Sequence, residues 1–208
     1  MNTFTIIATS DLHGDLQAYM NLAGQAKSDE IQLVVLAGDL TGRSNGYHQL
    51  SPILSSIGKK VLFLMGNMDE EEWPSEGNLI NINQRSYAYE HLNFVGYQYT
   101  NPFIGGKFEK SESEQYQDLN NLSEKMDDRT VFITHGPPFG VLDKTFWKRS
   151  VGSKSLTDFV ARHKPLIHIF GHIHESFGRS ERSYNVSYPS SKSFVKIDCL
   201  SNTWEIVK

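Results

Sequence analysis

Five short apolar runs, each ending on residues that can ligate a cation or move a proton, constrain this chain more than any other feature. Phe4–Thr9 stops at Ser10-Asp11-Leu12-His13-Gly14, and Leu33–Ala37 stops at Gly38-Asp39. Val61–Met65 runs into Gly66-Asn67-Met68-Asp69, Val131–Thr134 into His135-Gly136, and Leu166–Phe170 into Gly171-His172-Ile173-His174-Glu175. Runs of this length, rich in Val, Ile, Leu and Phe, read as strands buried on both faces. Open α/β folds bind ligands outside the carboxyl ends of such strands. A lone His-x-His is weak, because two histidines are often surface polar residues. Five strand ends that each deliver a carboxylate, an imidazole or an amide are not explained by packing.

The intervening segments fit that frame. Asp15 is an N-cap for a helix with the stripe Leu16, Tyr19, Met20, Leu22 and Ala23, closed by Gly24 or Ser28. With Leu33–Ala37 this makes a βαβ start with a right-handed crossover. Tyr47–Ile57 reads as a second helix with Pro52 a blemish and Gly58 a stop. Glu70–Gly77 reads as loop, and Leu79–Ile82, Ser86–Tyr89 and Asn93–Tyr97 read as an antiparallel meander. After the loop Thr100–Lys110, Ser111–Lys125 is a polar surface helix. A helix capped by Ser153 or Ser155 runs to His163 and ends before Pro165. Ser193–Cys199 and Thr203–Val207 form a closing hairpin. No repeat or linker divides the chain, so residues 1–208 are expected to be a single domain.

Composition narrows the function classes. The 208 residues carry a net charge of −4, which disfavours electrostatic capture of long nucleic acid. One cysteine, Cys199, cannot form an internal disulfide. No signal peptide and no apolar run near the ~20 residues of a membrane span are evident, so a cytoplasmic protein with no membrane partner is the expectation.

The candidate ligands are Asp11, His13, Asp39, Asn67, His135, His172 and His174, an oxygen and imidazole set with no thiolate. Such a set suits two divalent ions among Mn, Fe, Zn, Co and Ni, with Mn favoured. Seven ligands exceed one tetrahedral shell and suit two ions sharing a carboxylate such as Asp39. Water shared by two ions ~3.5–4 Å apart becomes a hydroxide near neutral pH, a nucleophile for phosphorus.

Asp11-x-His13, Gly38-Asp39, Gly66-Asn67-x-Asp69, His135 and Gly171-His172-x-His174 together resemble the calcineurin-like metallophosphoesterase family, in family order. The stretches Thr134–Pro138 and Ile169–Glu175 are similar to a small-phosphodiesterase branch. The resemblance implies an α/β fold, a four-layer αββα sandwich of two central mixed β-sheets flanked by helices. It implies that Asp11, His13 and His174 hold one ion, that Asn67, His135 and His172 hold the other, and that Asp39 bridges. The implied activity is a metal-dependent phosphoesterase, a phosphodiesterase above all, acting on a small phosphate-ester substrate, with Asp39, Asn67 and His135 as catalytic residues. A cyclic nucleotide, a glycerophosphodiester and a phosphomonoester are all open as substrates. One position departs from the pattern. Met68 stands where the family has a histidine that is thought to serve the leaving group, and a thioether has no proton to give. That departure keeps a second reading in view, a non-catalytic protein-binding scaffold on the same fold, as in a retromer subunit that resembles the family.

Other residues have plainer readings. His48, His91, His163 and His168 read as structural or surface residues, and Asp69–Glu72 as a solvated acidic face in which Asp69 caps a turn. Arg43 and Asn45 are able to meet a substrate phosphate, though a solvated loop arginine is the plainer reading. Trp73, Phe103, Phe139 and Trp147 read as packing before pocket wall, and Glu175 as a histidine's partner or an exposed acid.

Overall fold

The computed structural model describes residues 3–208. The first half comprises β1 (Thr5–Thr9), α1 (Leu16–Ala26), β2 (Ile31–Ala37), α2 (Tyr47–Ser55), β3 (Lys60–Leu64) and β4 (Leu79–Asn81). Then come β5 (Ser86–Tyr89), β6 (Leu92–Tyr97), α3 (Glu112–Leu122), β7 (Thr130–Thr134), α4 (Lys154–His163) and β8 (Ile167–Phe170). The chain closes with β9 (Gly178–Ser180), β10 (Ser183–Asn185), α5 (Tyr188–Ser191), β11 (Phe194–Asp198) and β12 (Thr203–Val207). They build two six-stranded sheets, ordered β12-β11-β1-β2-β3-β4 and β5-β6-β7-β8-β10-β9. Both are mixed. β1 to β4 pair in parallel and β11 joins β1 antiparallel, while β6, β7, β8 and β10 pair in parallel and β5 and β9 close the edges antiparallel.

Strand alternation makes the layers. In β1, Ile6 and Ala8 point between the sheets, joining Val35 and Leu64 of one and Phe94, Ile133 and Ile169 of the other. Ile7 points outward with Val34 and Phe63, against Tyr19 and Leu22 of α1 and Leu50 and Leu54 of α2. On the far side Val95, Tyr97 and Phe132 meet Leu119 and Leu122 of α3 and Leu156 and Phe159 of α4. The result is the expected αββα sandwich.

Local signals held where side chains speak for themselves. The Asp15 carboxylate accepts from the Ala18 N–H at 3.1 Å, and the Ser153 hydroxyl accepts from the Leu156 N–H at 3.2 Å. Three expectations need correction. The meander is broken. β4 pairs in parallel with β3 in one sheet, and only β5 and β6 form a hairpin, in the other. Turn spacing cannot show whether consecutive strands pair, and here the chain switches sheets after Ile82, which is buried between them. Gly24 lies inside α1, which ends at Ala26 with Lys27 as its cap, so of the two stops offered Ser28 is the nearer. α3 is more than a surface helix, because Gln115, Leu119 and Leu122 are buried beneath its polar face. The three-residue strands β9 and β10 and the one-turn α5 carried no periodicity to read.

His168 on β8 is buried as a structural residue, stacked on Phe132 at 5.0 Å between ring centroids. Its Nε2 lies 2.9 Å from the Thr134 hydroxyl, whose hydrogen goes to the Gly136 carbonyl, so the imidazole donates and Nδ1 stays bare and unpartnered. Burial pushes its pKa down to about 3. The folded imidazole therefore stays neutral while the unfolded one protonates below its ordinary value of about 6.5. Its contribution to stability is intact above pH ~6.5 and is lost as pH falls toward ~3, by up to ~4 kcal/mol. Urea unfolding at a series of pH values should show a shallower acid loss in His168→Phe than in the wild type. Parallel curves would refute the assignment.

Candidate metal centre

All five predicted strand ends open on one edge of the sandwich, and backbone hydrogen bonds lace their loops together. The Asp11 N–H donates to Gly38 O at 2.9 Å, the His13 N–H to Asp39 O at 3.0 Å, and the Gly171 N–H to His135 O at 3.0 Å. Four candidate ligands sit in the left-handed region, with φ of +57° at Asp11, +46° at His13, +53° at Asp39 and +68° at His172. Such strain collects at functional sites, where the surrounding fold over-determines the backbone. The motif glycines make room for the side chains. A Cβ on Gly66 would lie 2.2 Å from Asp39 Oδ1 and 2.6 Å from His135 Nε2, and one on Gly171 would lie 1.9 Å from Ser10 Oγ.

Two groups of ligand atoms form, Asp11 with His13 and His174, and Asp11 with Asp39 and His135, each within 4.8 Å. In the first, His174 Nε2 lies 3.4 Å from both His13 Nε2 and Asp11 Oδ1. In the second, His135 Nε2 lies 3.4 Å from Asp39 Oδ1 and 3.1 Å from Asn67 Oδ1. Asp11 is the carboxylate common to both groups, whereas the family resemblance gives the bridging place to Asp39. The imidazole of His172 falls outside both groups. It packs at 5.1 Å from the His135 ring and 5.4 Å from Phe103, and its backbone N–H donates to Asp11 Oδ2 at 3.0 Å.

These residues fit divalent ions. His135 Nδ1 lies 2.8 Å from the Ala37 carbonyl, which only accepts, so Nδ1 carries the hydrogen. That leaves the lone pair of Nε2 facing two more acceptors, the oxygens of Asp39 and Asn67. The arrangement is repulsive unless a proton or a cation lies between them. A backbone carbonyl on the far nitrogen is also the usual support for a metal-binding imidazole. The titrations carry the same tension. Burial opposes a charge on His135, yet the Asp39 carboxylate and then Asp11 push its pKa up to about 9. Burial likewise works against Asp11 as an anion, but its contact with His174 and the charge of His135 hold it well below the usual carboxylate range. His174 is raised against its burial by Asp11, and His172 is pushed down to about 4 by burial and then by His135.

Two acids hold the loops. Asp69, read as a turn cap within a solvated run, does cap the Gly66–Asp69 turn but is 2% exposed. Its carboxylate accepts from the N–H groups of Gly66 at 2.8 Å, Leu40 at 3.1 Å and Thr41 at 2.7 Å, and from the Thr41 hydroxyl at 2.7 Å. It ties the loop after Asp39 to the loop before Asn67. Asp69→Asn turns an amide N–H toward these donors, and we expect it to cost ~2–3 kcal/mol in thermal or urea unfolding. Unchanged stability would show that the clamp is not needed. Glu109 accepts from the backbones of Phe103, Ile104 and Gly105 at 2.9, 2.9 and 3.0 Å, and from Asn67 Nδ2 at 3.4 Å, which turns Asn67 Oδ1 toward His135. Nothing in its Gly- and Phe-bearing loop announced this.

Beside the centre opens a cleft of about 600 Å³, lined by His13, Thr41, Arg43, Tyr47, Met68, Glu70 and Glu71 among others. Arg43 is exposed there, whereas Asn45 turns away to donate to Gly14 O at 2.8 Å. Met68 is 51% exposed, and its backbone N–H donates to Asp39 Oδ1 at 2.8 Å. Trp73 is packing, 3% exposed against Phe63 and Tyr47, while Phe103, Phe139, Trp147 and Glu175 are exposed.

The sequence pattern of the calcineurin-like phosphoesterase family matches residues 4–176. The chain belongs to that family. Among curated relatives of this phosphoesterase-family chain, a UPF0046 protein of Caenorhabditis elegans is 33% identical over 101 residues, 49% of this chain and 33% of the relative. Metallophosphoesterase domain-containing protein 1 of Homo sapiens is 48% identical over 50 residues, 23% of this chain and 15% of the relative. The matched stretches thus span a third or less of the relatives' length. The fold is shared with the protein TT1561 of Thermus thermophilus, at a TM-score of 0.72 and 16% identity over 99% of this chain and 98% of that one. A dimetal phosphatase from Danio rerio superposes with a TM-score of 0.60 and 12% identity over 94% of this chain and 92% of that one. Among the described residues no helix is long and apolar enough to cross a membrane.

Proposed function

We propose that the chain hydrolyses small phosphodiesters with two divalent ions, manganese foremost, as cofactor. The observation that carries this reading is the Nε2 of His135 held against the oxygens of Asp39 and Asn67, a place for a proton or a cation, next to the Asp11, His13 and His174 group. Asp11, His13 and His174 would hold one ion, and Asp39, Asn67 and His135 the other, with Asp11 or Asp39 shared. The resemblance adds His172 to the shell of the second ion, and its ring lies against that of His135. The bound ions would supply Lewis acidity and an acidified water. The chain's own work is orientation. The Ala37 carbonyl sets the His135 tautomer, Glu109 sets the Asn67 amide, and Asp69 fixes the spacing of the two loops.

The cleft favours diesters over monoesters. Glu70 and Glu71 face it against the single guanidinium of Arg43. A monoester brings about two negative charges at neutral pH and a diester one, so the acidic lip repels the monoester more. A cleft of this volume also accommodates the second alcohol of a diester. With Mn²⁺ added, a bis-aryl phosphodiester should turn over faster than the matching aryl monoester. Faster monoester turnover would reverse the substrate assignment, and no metal-dependent turnover of either would reject the catalytic reading. The family membership and the dimetal phosphatase of the same fold support the reaction class.

A further inference from the structure

We propose that the chain docks on an anionic lipid surface through the hairpin Lys144–Ser150 beside the metal centre. The hairpin is closed by the Lys144–Ser150 bridge and by the Thr145 N–H donating to Arg149 O at 3.0 Å. Its tip carries Phe146 and Trp147, 72% and 78% exposed, the most exposed large apolar side chains among the described residues. The two rings meet edge to face, 5.3 Å between centroids, and touch nothing that would bury them. Lys144, Lys148 and Arg149 flank them, and none of the three is in an ion pair among the described residues. Asp143, next in sequence, is 1% exposed and is occupied by the Gly140 and Gly152 N–H groups at 2.9 and 3.0 Å, which leaves Glu175, beside the anchoring Ser176, as the exposed acid at the hairpin's base. In a chain of net charge −4, a tip whose own charged residues are all cations beside two exposed aromatics is a local reversal.

That chemistry matches a lipid headgroup layer. Trp seats its amphipathic ring at the membrane interface, Phe extends below it, and Lys and Arg meet anionic headgroups. Each cation near such a surface raises partition about fivefold, with the effect screened by salt. A convex tip inserts into a layer, whereas single-stranded nucleic acid is held by grooves that track its backbone. The hairpin is tethered at its base. The Lys144 N–H donates to Ser176 Oγ at 3.1 Å, and that hydroxyl donates to Lys144 O at 2.9 Å, two residues beyond His174. Docking by the tip would therefore bring the His174 side of the centre close to the lipid surface.

The test is vesicle sedimentation of the full chain with tryptophan emission as a second readout. One vesicle is phosphatidylcholine alone, and the other is equal parts phosphatidylcholine and phosphatidylglycerol. Trp73 is buried and Trp204 half-buried, so a blue shift reports chiefly Trp147. The wild type should pellet with the anionic vesicles only, shift to the blue, and be released by added salt. Phe146→Ser with Trp147→Ser should cut partition at least ~10-fold, as should Lys148→Glu with Arg149→Glu. Both pairs should keep wild-type turnover of the soluble aryl diester, which separates the tip from the centre. Equal partition of the wild type and both variants would overturn the proposal. So would no binding, or binding of the tip to a single-stranded oligonucleotide or to a second copy of the chain in place of vesicles.

Discussion

Asp39→Asn should lower metal-dependent turnover of an aryl phosphodiester by at least ~10²-fold. The basis is local. Asp39 Oδ1 accepts the Met68 N–H at 2.8 Å and faces His135 Nε2 at 3.4 Å. An amide of the same shape keeps the first contact, so the loop is retained. It removes the negative charge that does most to push His135 up to about 9 against burial. Changing residues that merely support a metal ligand already costs ~10–100-fold, and a direct ligand should cost at least the upper end of that range. Thermal unfolding without metal should be nearly unchanged, while the stabilisation of the wild type by Mn²⁺ should largely vanish in the variant. Equal turnover in the two proteins would mean that Asp39 neither holds an ion nor acts in the reaction.

Met68→His should raise turnover of diesters with poor, alkyl leaving groups by ~10²-fold and change that of nitrophenyl esters little. A general acid contributes ~10²–10⁴-fold where the leaving oxygen needs a proton. Met68 is half exposed and lines the same cleft as His13, so an imidazole there has access to a leaving group. The gain should fall at the low end. No carboxylate is spare to orient the new imidazole, since that of Asp69 already accepts from Gly66, from Leu40, and from both the backbone and hydroxyl of Thr41. No gain on alkyl esters would show that Met68 does not stand in for a proton donor. An equal gain on both substrate classes would point to an effect other than leaving-group protonation.

What the sequence by itself determined is the part of this protein written in short-range chemistry. Short apolar runs specified β1, β2, β3, β7 and β8, because each buries both faces and must be apolar along its length. Caps at Asp15 and Ser153 were legible, because a side-chain oxygen and an N–H three residues away satisfy each other locally. The candidate ligands could be named because polar groups at five strand ends are not explained by packing alone, and the fold brings Asp11, His13, Asp39, His135 and His174 together. Tertiary structure alone decided the rest, since it depends on which distant segments meet. β4 left the neighbours its spacing suggested because pairing is a long-range choice between two sheets. The setting of His172, with its backbone at φ +68° donating to Asp11 and its ring against His135, depends on loops that meet only in the fold. Asp69 and Glu109 look like solvated acids in one dimension. Folding carries them to N–H groups of loops up to 29 residues away in Asp69's case, and no local pattern encodes that proximity.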